Sequence, residues 1–128
     1  MKLNKSQLEA VNHKQGPLLI IAGAGTGKTA VLINRIKNII EKGWALPDEI
    51  LALTFTEKSA KEMKERLDVS LPYGFTEIEV STFHSFADRI LRQECLYLGL
   101  DPNYTLMTSS DSYVFFRKNI FNFSLDRF

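Results

Sequence analysis

One cysteine, Cys95, is all the chain carries, so no disulfide can form within it and no multi-cysteine metal site can be built. A lone thiol fits a reducing compartment, and a cytoplasmic location is expected. Histidine is nearly as scarce: His13 and His84 are far apart in sequence, without the spacing of a metal-ligand pair. Charge of one sign is not in excess, since 16 basic residues face 15 acidic ones for a net +1. That excludes a nucleic-acid binder relying on bulk positive charge, but not one with a localised basic groove. No apolar run approaches the roughly 20 residues needed to span a bilayer, and the N-terminus lacks a signal-peptide core, so no membrane partner is expected. Internal repeats and low-complexity tracts are also absent. What remains is an ordinary globular composition over 128 residues, 45% hydrophobic and 24% charged, enough for about one domain.

Hydrophobic spacing organises the chain into alternating elements. Asn4-Lys5-Ser6-Gln7 opens a helix that runs through Leu8 and Val11, and Gly16-Pro17 ends the segment. The run at 18–22 has the length and composition of a short buried strand. Val31, Leu32, Ile36, Ile39 and Ile40 then recur at helical spacing until Gly43, and Pro47-Asp48 marks a turn. A second strand is predicted over 50–55, and a charged helix over 56–67 with Ala60, Met63 and Leu67 inward. Pro72-Tyr73-Gly74 breaks the pattern. A third strand is expected over 77–82 and a further helix over 83–98, closed by Gly99. Strands alternating with helices imply right-handed βαβ units and a parallel sheet, an α/β fold. The tail is different. Ser109-Ser110-Asp111 reads as a helix cap, and five phenylalanines follow in the last 14 residues, with Ile120 among them. So apolar an end is expected either to fold back onto the sheet or, as we favour, to stop short of its packing partner.

The strongest chemical signal is Ala22-Gly23-Ala24-Gly25-Thr26-Gly27-Lys28-Thr29, between an apolar run and a helical pattern. Glycine N–H groups in such a loop close around phosphate oxygens, and the N-terminus of the following helix adds partial positive charge. Lys28 can reach terminal phosphates, and the Thr29 hydroxyl can ligate an accompanying Mg²⁺. Ala22 departs from the strict pattern, which has Gly at that position. Ala30 continues the loop into the helix. A nucleotide hydrolase also needs a carboxylate at the end of a neighbouring strand. The run at 50–55 leads into Thr56-Glu57 and the run at 78–82 into Phe83-His84, and neither ends in paired acids. Glu57, at a charged helical start, reads more simply as a solvated or dipole-complementing residue.

Four segments in order resemble the N-terminal part of the superfamily 1 DNA helicases of the UvrD/Rep/PcrA type. Leu3-Asn4-Lys5-Ser6-Gln7 with Ala10-Val11 is similar to that family's glutamine motif, and the glycine loop to its phosphate loop, where Ala at the first position is common. Thr54-Phe55-Thr56-Glu57-Lys58-Ser59-Ala60 resembles motif Ia, except that the family usually has Asn in place of Glu57. Thr82-Phe83-His84-Ser85 resembles motif Ib.

The resemblance implies roles for single residues. Gln7 would bond the adenine edge and select ATP; the alternative is a capping box with Asn4. Arg35 would stack on the adenine face, or simply be an exposed helical arginine. Phe55 would stack on a base of single-stranded DNA, worth about 1–3 kcal/mol in such grooves, or close the core at a strand end. Thr56 and Lys58 would contact phosphate; otherwise Lys58, Lys61 and Lys64 form a solvated face with pairs such as Glu57–Lys61 and Glu62–Arg66. Thr82, His84 and Ser85 would meet DNA phosphates, with Thr82 also serving as a helix N-cap. Trp44 and Cys95 read as packing residues.

The fold expected from the resemblance is a P-loop, RecA-like partial parallel sheet flanked by helices. Residues 1–100 would be the N-terminal part of its ATP-binding lobe, and 101–128 the beginning of a helical insertion. The function expected is the ATP-binding portion of an ATP-dependent helicase moving along single strands or entering a duplex by a single-stranded tail, with ATP and Mg²⁺ as cofactors. Lacking the acidic motif and the second lobe, these residues alone are expected to be inactive in hydrolysis. The alternatives are the ATP-binding part of a helicase-nuclease subunit, a P-loop phosphotransferase or regulatory protein, and a non-catalytic DNA-binding module.

Overall fold

The computed structural model of the chain describes residues 3–71 and 77–123. It divides into two compact units, Met1–Arg89 and Ile90–Phe128.

In the first unit, α1 and α3 start where the sequence supplies a side-chain cap. Asn4 opens α1 (Lys5–Asn12) with the reciprocal bonds of a capping box: Gln7 N donates to Asn4 Oδ1 at 2.9 Å, and Asn4 N donates to Gln7 Oε1 at 2.9 Å. Thr56 opens α3 (Glu57–Ser70), its hydroxyl accepting from Ser59 N at 3.1 Å. Between them lie α2 (Lys28–Glu41), a 3₁₀ turn at Pro47–Glu49 and strand β1 (Leu51–Thr54). Strand β2 (Glu79–Thr82) lies parallel to β1, with Leu51 opposite Glu79 and Thr54 opposite Thr82. The sheet among the described residues is these two strands, and α4 (Phe83–Gln93) follows β2 directly. The chain is thus a small α/β protein with parallel pairing.

Two apolar clusters form, and α2 contributes to both. Ile33 and Ile36 pack with Ala52 of β1, Met63 and Leu67 of α3, Leu71 and Ile78. Val31 packs with Ala10 and Val11 of α1. Ala60, Met63 and Leu67 are the buried face of α3, as their helical spacing predicts.

The segment at 18–22 corrects the sequence reading, for it forms no strand. Leu19 is 83% and Ile21 89% exposed. A strand is held by ladder bonds to neighbours, and no described strand lies beside this run to supply them. Composition proposed the strand and pairing decided against it. The helix expected over 83–98 stops at Gln93; Tyr97 N and Leu98 N then make tighter turns onto Glu94 O and Cys95 O, with Cys95 buried. The break at Pro72-Tyr73-Gly74 lies outside the described residues.

In the second unit, Thr108 and Asp111 form the capping box of α5 (Ser109–Asn119), one residue before the cap expected at Ser109. Phe116 contacts Phe115 edge-on, at 5.9 Å between ring centroids, and Phe123 at 5.5 Å. All three rings remain well exposed. Phe128 lies outside the described residues. No described helix is long and apolar enough to cross a membrane.

The two kinds of apolar residue should respond differently to truncation. Leu67→Ala removes a side chain 2% exposed and should cost about 2–5 kcal/mol, whereas Leu19→Ala should stay within about 0.5 kcal/mol. Chemical denaturation measures both; equal costs would contradict the core assignment.

Candidate functional site

The glycine loop takes its shape from two backbone positions that disfavour a side chain. Gly25 and Gly27 have φ of 75° and 87°, the left-handed region. Gly27 is also the N-cap of α2, and no side chain caps that helix. Its first-turn N–H groups therefore lack the acceptor that Asn4 and Thr56 provide elsewhere, which suits an incoming anion. The loop is braced internally. Thr26 Oγ1 donates to Gly23 O at 2.8 Å, and Lys28 Nζ to Ala22 O at 2.8 Å and to Gly23 O. A cavity of about 300 Å³ lies against Gly25, Gly27, Lys28, Thr29 and Ala30.

A second cavity, of about 190 Å³, lies between α1 and the loop and is lined in part by Gln7, Ala10, Ile21, Ala22, Thr26 and Lys28. Gln7 links its two walls: besides the capping box, its Nε2 donates to Thr26 O at 3.1 Å. An amide side chain has two donor hydrogens and two acceptor lone pairs. Here one of each is engaged, and one N–H and one lone pair remain. The capping reading and the base-reading one are thus compatible in a single side chain.

Arg35 does not line that cavity. Half-buried on α2, it donates through Nη1 to Ala10 O at 2.7 Å and to His13 O. Asn38 Nδ2 adds a bond to Val11 O at 3.0 Å, and Lys42 Nζ one to Asn12 Oδ1 at 3.0 Å. Arg35 and Asn38 thereby satisfy free carbonyls at the end of α1, while Lys42 holds the Asn12 side chain. They pin α1 to α2, and so hold Gln7 beside the loop.

Parallel pairing brings the other sequence-derived residues together at the ends of β1 and β2. Phe55 is 82% exposed, so its ring takes no part in the core formed by the described residues. Thr56 is exposed but occupied as a cap, and Lys58 and His84 are exposed. Thr82 is 4% exposed; its hydroxyl caps α4 by accepting from Ser85 N at 3.1 Å. Glu57 is the residue whose role the sequence did not reveal. Its Oε1 accepts from Ser85 Oγ at 2.7 Å and from Thr82 Oγ1 at 3.0 Å. It does not act as the solvated partner of Lys61. Those bonds, Ser85's first and Thr82's second, hold the Glu57 carboxyl below the usual carboxylate range against a slight opposing desolvation.

Arg66 was also missed as a site residue. It borders the loop cavity from α3, beside the expected 3.9 Å pair with Glu62. A position nine residues into a charged helix carries no local signal of that neighbourhood. Among the described residues, no cluster of three His, Cys, Asp or Glu could hold a metal ion. An Mg²⁺ ion arriving with nucleotide phosphates would need from the protein only an oxygen such as the Thr29 hydroxyl.

The profile of the UvrD/REP helicase N-terminal domain matches residues 3–127. Among curated relatives, the chain is 52% identical over 112 residues to a probable DNA helicase II homolog of Rickettsia conorii, covering 85% of this chain and 17% of the relative. It is 46% identical over 109 residues to the ATP-dependent DNA helicase PcrA of Bacillus subtilis, covering 85% and 15%. A PcrA from Leuconostoc citreum is 43% identical over 125 residues, 97% of this chain and 17% of that protein. The chain thus spans about one sixth of the length of the relatives it matches.

The Glu57 contacts predict a titration. With its folded pKa lowered, the carboxylate contributes stability above its unfolded pKa, and that contribution fades as pH falls through the folded value. Ser85→Ala, removing the largest cause, should raise the carboxyl's pKa toward the ordinary value in a carboxyl-carbon NMR titration. An unchanged pKa would contradict the bond.

Proposed function

The chain belongs to the UvrD/REP helicase N-terminal domain family, and from that premise we propose that it forms the ATP-binding part of an ATP-dependent DNA helicase that moves along single strands. The observation that carries the nucleotide half is the uncapped start of α2, where two left-handed glycines lead into Lys28 and Thr29 beside a cavity. Phosphate oxygens accept from the first-turn N–H groups and supply the acceptors that the helix itself does not provide. Lys28 turns from the carbonyls of Ala22 and Gly23 to the terminal phosphates. Thr29 presents its hydroxyl to Mg²⁺, which when bound neutralises phosphate charge.

The free N–H and lone pair of Gln7 complement an adenine edge, which offers one acceptor and one donor side by side. That pairing selects adenine over guanine, whose corresponding edge offers two acceptors. Arg35 supports the base pocket by fixing α1. Phe55 offers a face on which a base of single-stranded DNA stacks, and Lys58, His84 and Ser85 stand near its backbone, with Thr56 and Thr82 shaping the two helix starts. In this reading residues 1–100 belong to a RecA-like P-loop lobe and 101–128 to a helical insertion, in a cytoplasmic protein. Among the described residues no carboxylate lines the cavity at Thr29, and in this reading the 128 residues bind nucleotide without turning it over.

Titration with a fluorescent ATP analogue tests this. Lys28→Ala should weaken binding at least about tenfold, as loss of a charge-assisted phosphate contact implies. Gln7→Ala should narrow the preference for ATP over GTP while leaving phosphate-dependent binding in place. Equal affinity for ATP in wild type and Lys28→Ala would refute the phosphate site. Robust DNA-stimulated hydrolysis by the chain alone would refute binding without turnover.

A further inference from the structure

Three oxygens meet where β1 and β2 pass into their helices: Glu57 Oε1, Thr82 Oγ1 and Ser85 Oγ. The two hydroxyls lie 2.8 Å apart and each lies within 3.0 Å of the carboxylate oxygen. Each hydroxyl owns one proton. With Glu57 ionised, both protons are best placed on the carboxylate, since charge-assisted bonds are the stronger ones. A Ser85 hydroxyl donating to Glu57 has nothing to donate to a phosphate.

We propose that Glu57 is an internal competitor of nucleic-acid phosphate, holding the Ser85 hydroxyl until a backbone phosphate displaces the carboxylate. The inference rests on the reading of Phe55, His84 and Ser85 as a DNA-facing surface. Exposure makes the exchange feasible: Glu57 and Ser85 lie at the surface, whereas Thr82 is buried. Ser85 is therefore the member of the pair that can change partner, while Thr82 stays as the cap of α4. As the first residue of α3, Glu57 can swing into water and still complement that helix's dipole. Its negative charge opposes phosphate while it remains in place, and the opposition is electrostatic and open to solvent, so added salt weakens it.

A purely structural role for Glu57, tying the start of α3 to the start of α4, predicts something different. Glu57→Gln keeps an oxygen that accepts from both hydroxyls and removes only the charge. Under competition that variant binds more tightly; under tethering it binds like wild type, and Glu57→Ala binds worse.

The test is anisotropy titration of a labelled oligothymidylate with the 128-residue chain at low and at physiological salt, with thermal melts showing that each variant is folded. Competition predicts that Glu57→Gln and Glu57→Ala bind about three- to tenfold more tightly than wild type at low salt, the size expected for removing a nearby like charge. The gain should narrow as salt rises and shrink when Ser85→Ala is added to Glu57→Gln. If wild type binds and Glu57→Gln binds no better, the inference is wrong and the DNA reading stands. If no variant binds at all, both are wrong.

Discussion

Helix α2 has to be packed along its flanks while its first turn is left open. Val31 faces α1, and Ile33 and Ile36 face β1 and α3, so the helix stands between both apolar clusters of the first unit. Arg35 and Asn38 then take the terminal carbonyls of α1, which fixes Gln7 over the loop. A helix held this firmly by side contacts can do without the roughly 1 kcal/mol that an N-cap typically contributes. Gly27 stands at the position that Asn4, Thr56 and Thr108 fill with a side-chain cap on α1, α3 and α5. In the proposed function, phosphate takes the place that packing leaves without a side-chain cap.

A second constraint is the parallel register of β1 and β2. Thr54 opposite Thr82 sets the starts of α3 and α4 side by side, each begun by a threonine that caps it. That register is what places Glu57 within reach of Ser85, although 28 residues separate them. The bridge is a consequence of topology, and no local spacing rule could have announced it.

Local rules served well where the physics is local. The capping box of Asn4 and Gln7, the inward face of Ala60, Met63 and Leu67, and the cap at Thr82 each depend on neighbours within four residues, and each formed. The glycine loop was legible for the same reason, since backbone angle and helix start are properties of a short segment. Residues 18–22 failed because a strand is made by its neighbours, and apolar composition says nothing about who they are. Gln7 was a choice between two readings only until its four hydrogen-bonding capacities were counted. Arg35 and Arg66 needed the packing of one helix on another before their surroundings could be known.

In the proposed function the open end of α2 and Gln7 form one adenine-nucleotide site. Amide NMR of the chain during titration with ATP and, separately, GTP tests it most directly. The backbone N–H signals of Gly25 to Ala30 should move with both nucleotides, and the side-chain amide of Gln7 should move with ATP far more than with GTP. Loop amides that ignore both nucleotides, or a Gln7 amide that responds to the two alike, would contradict it.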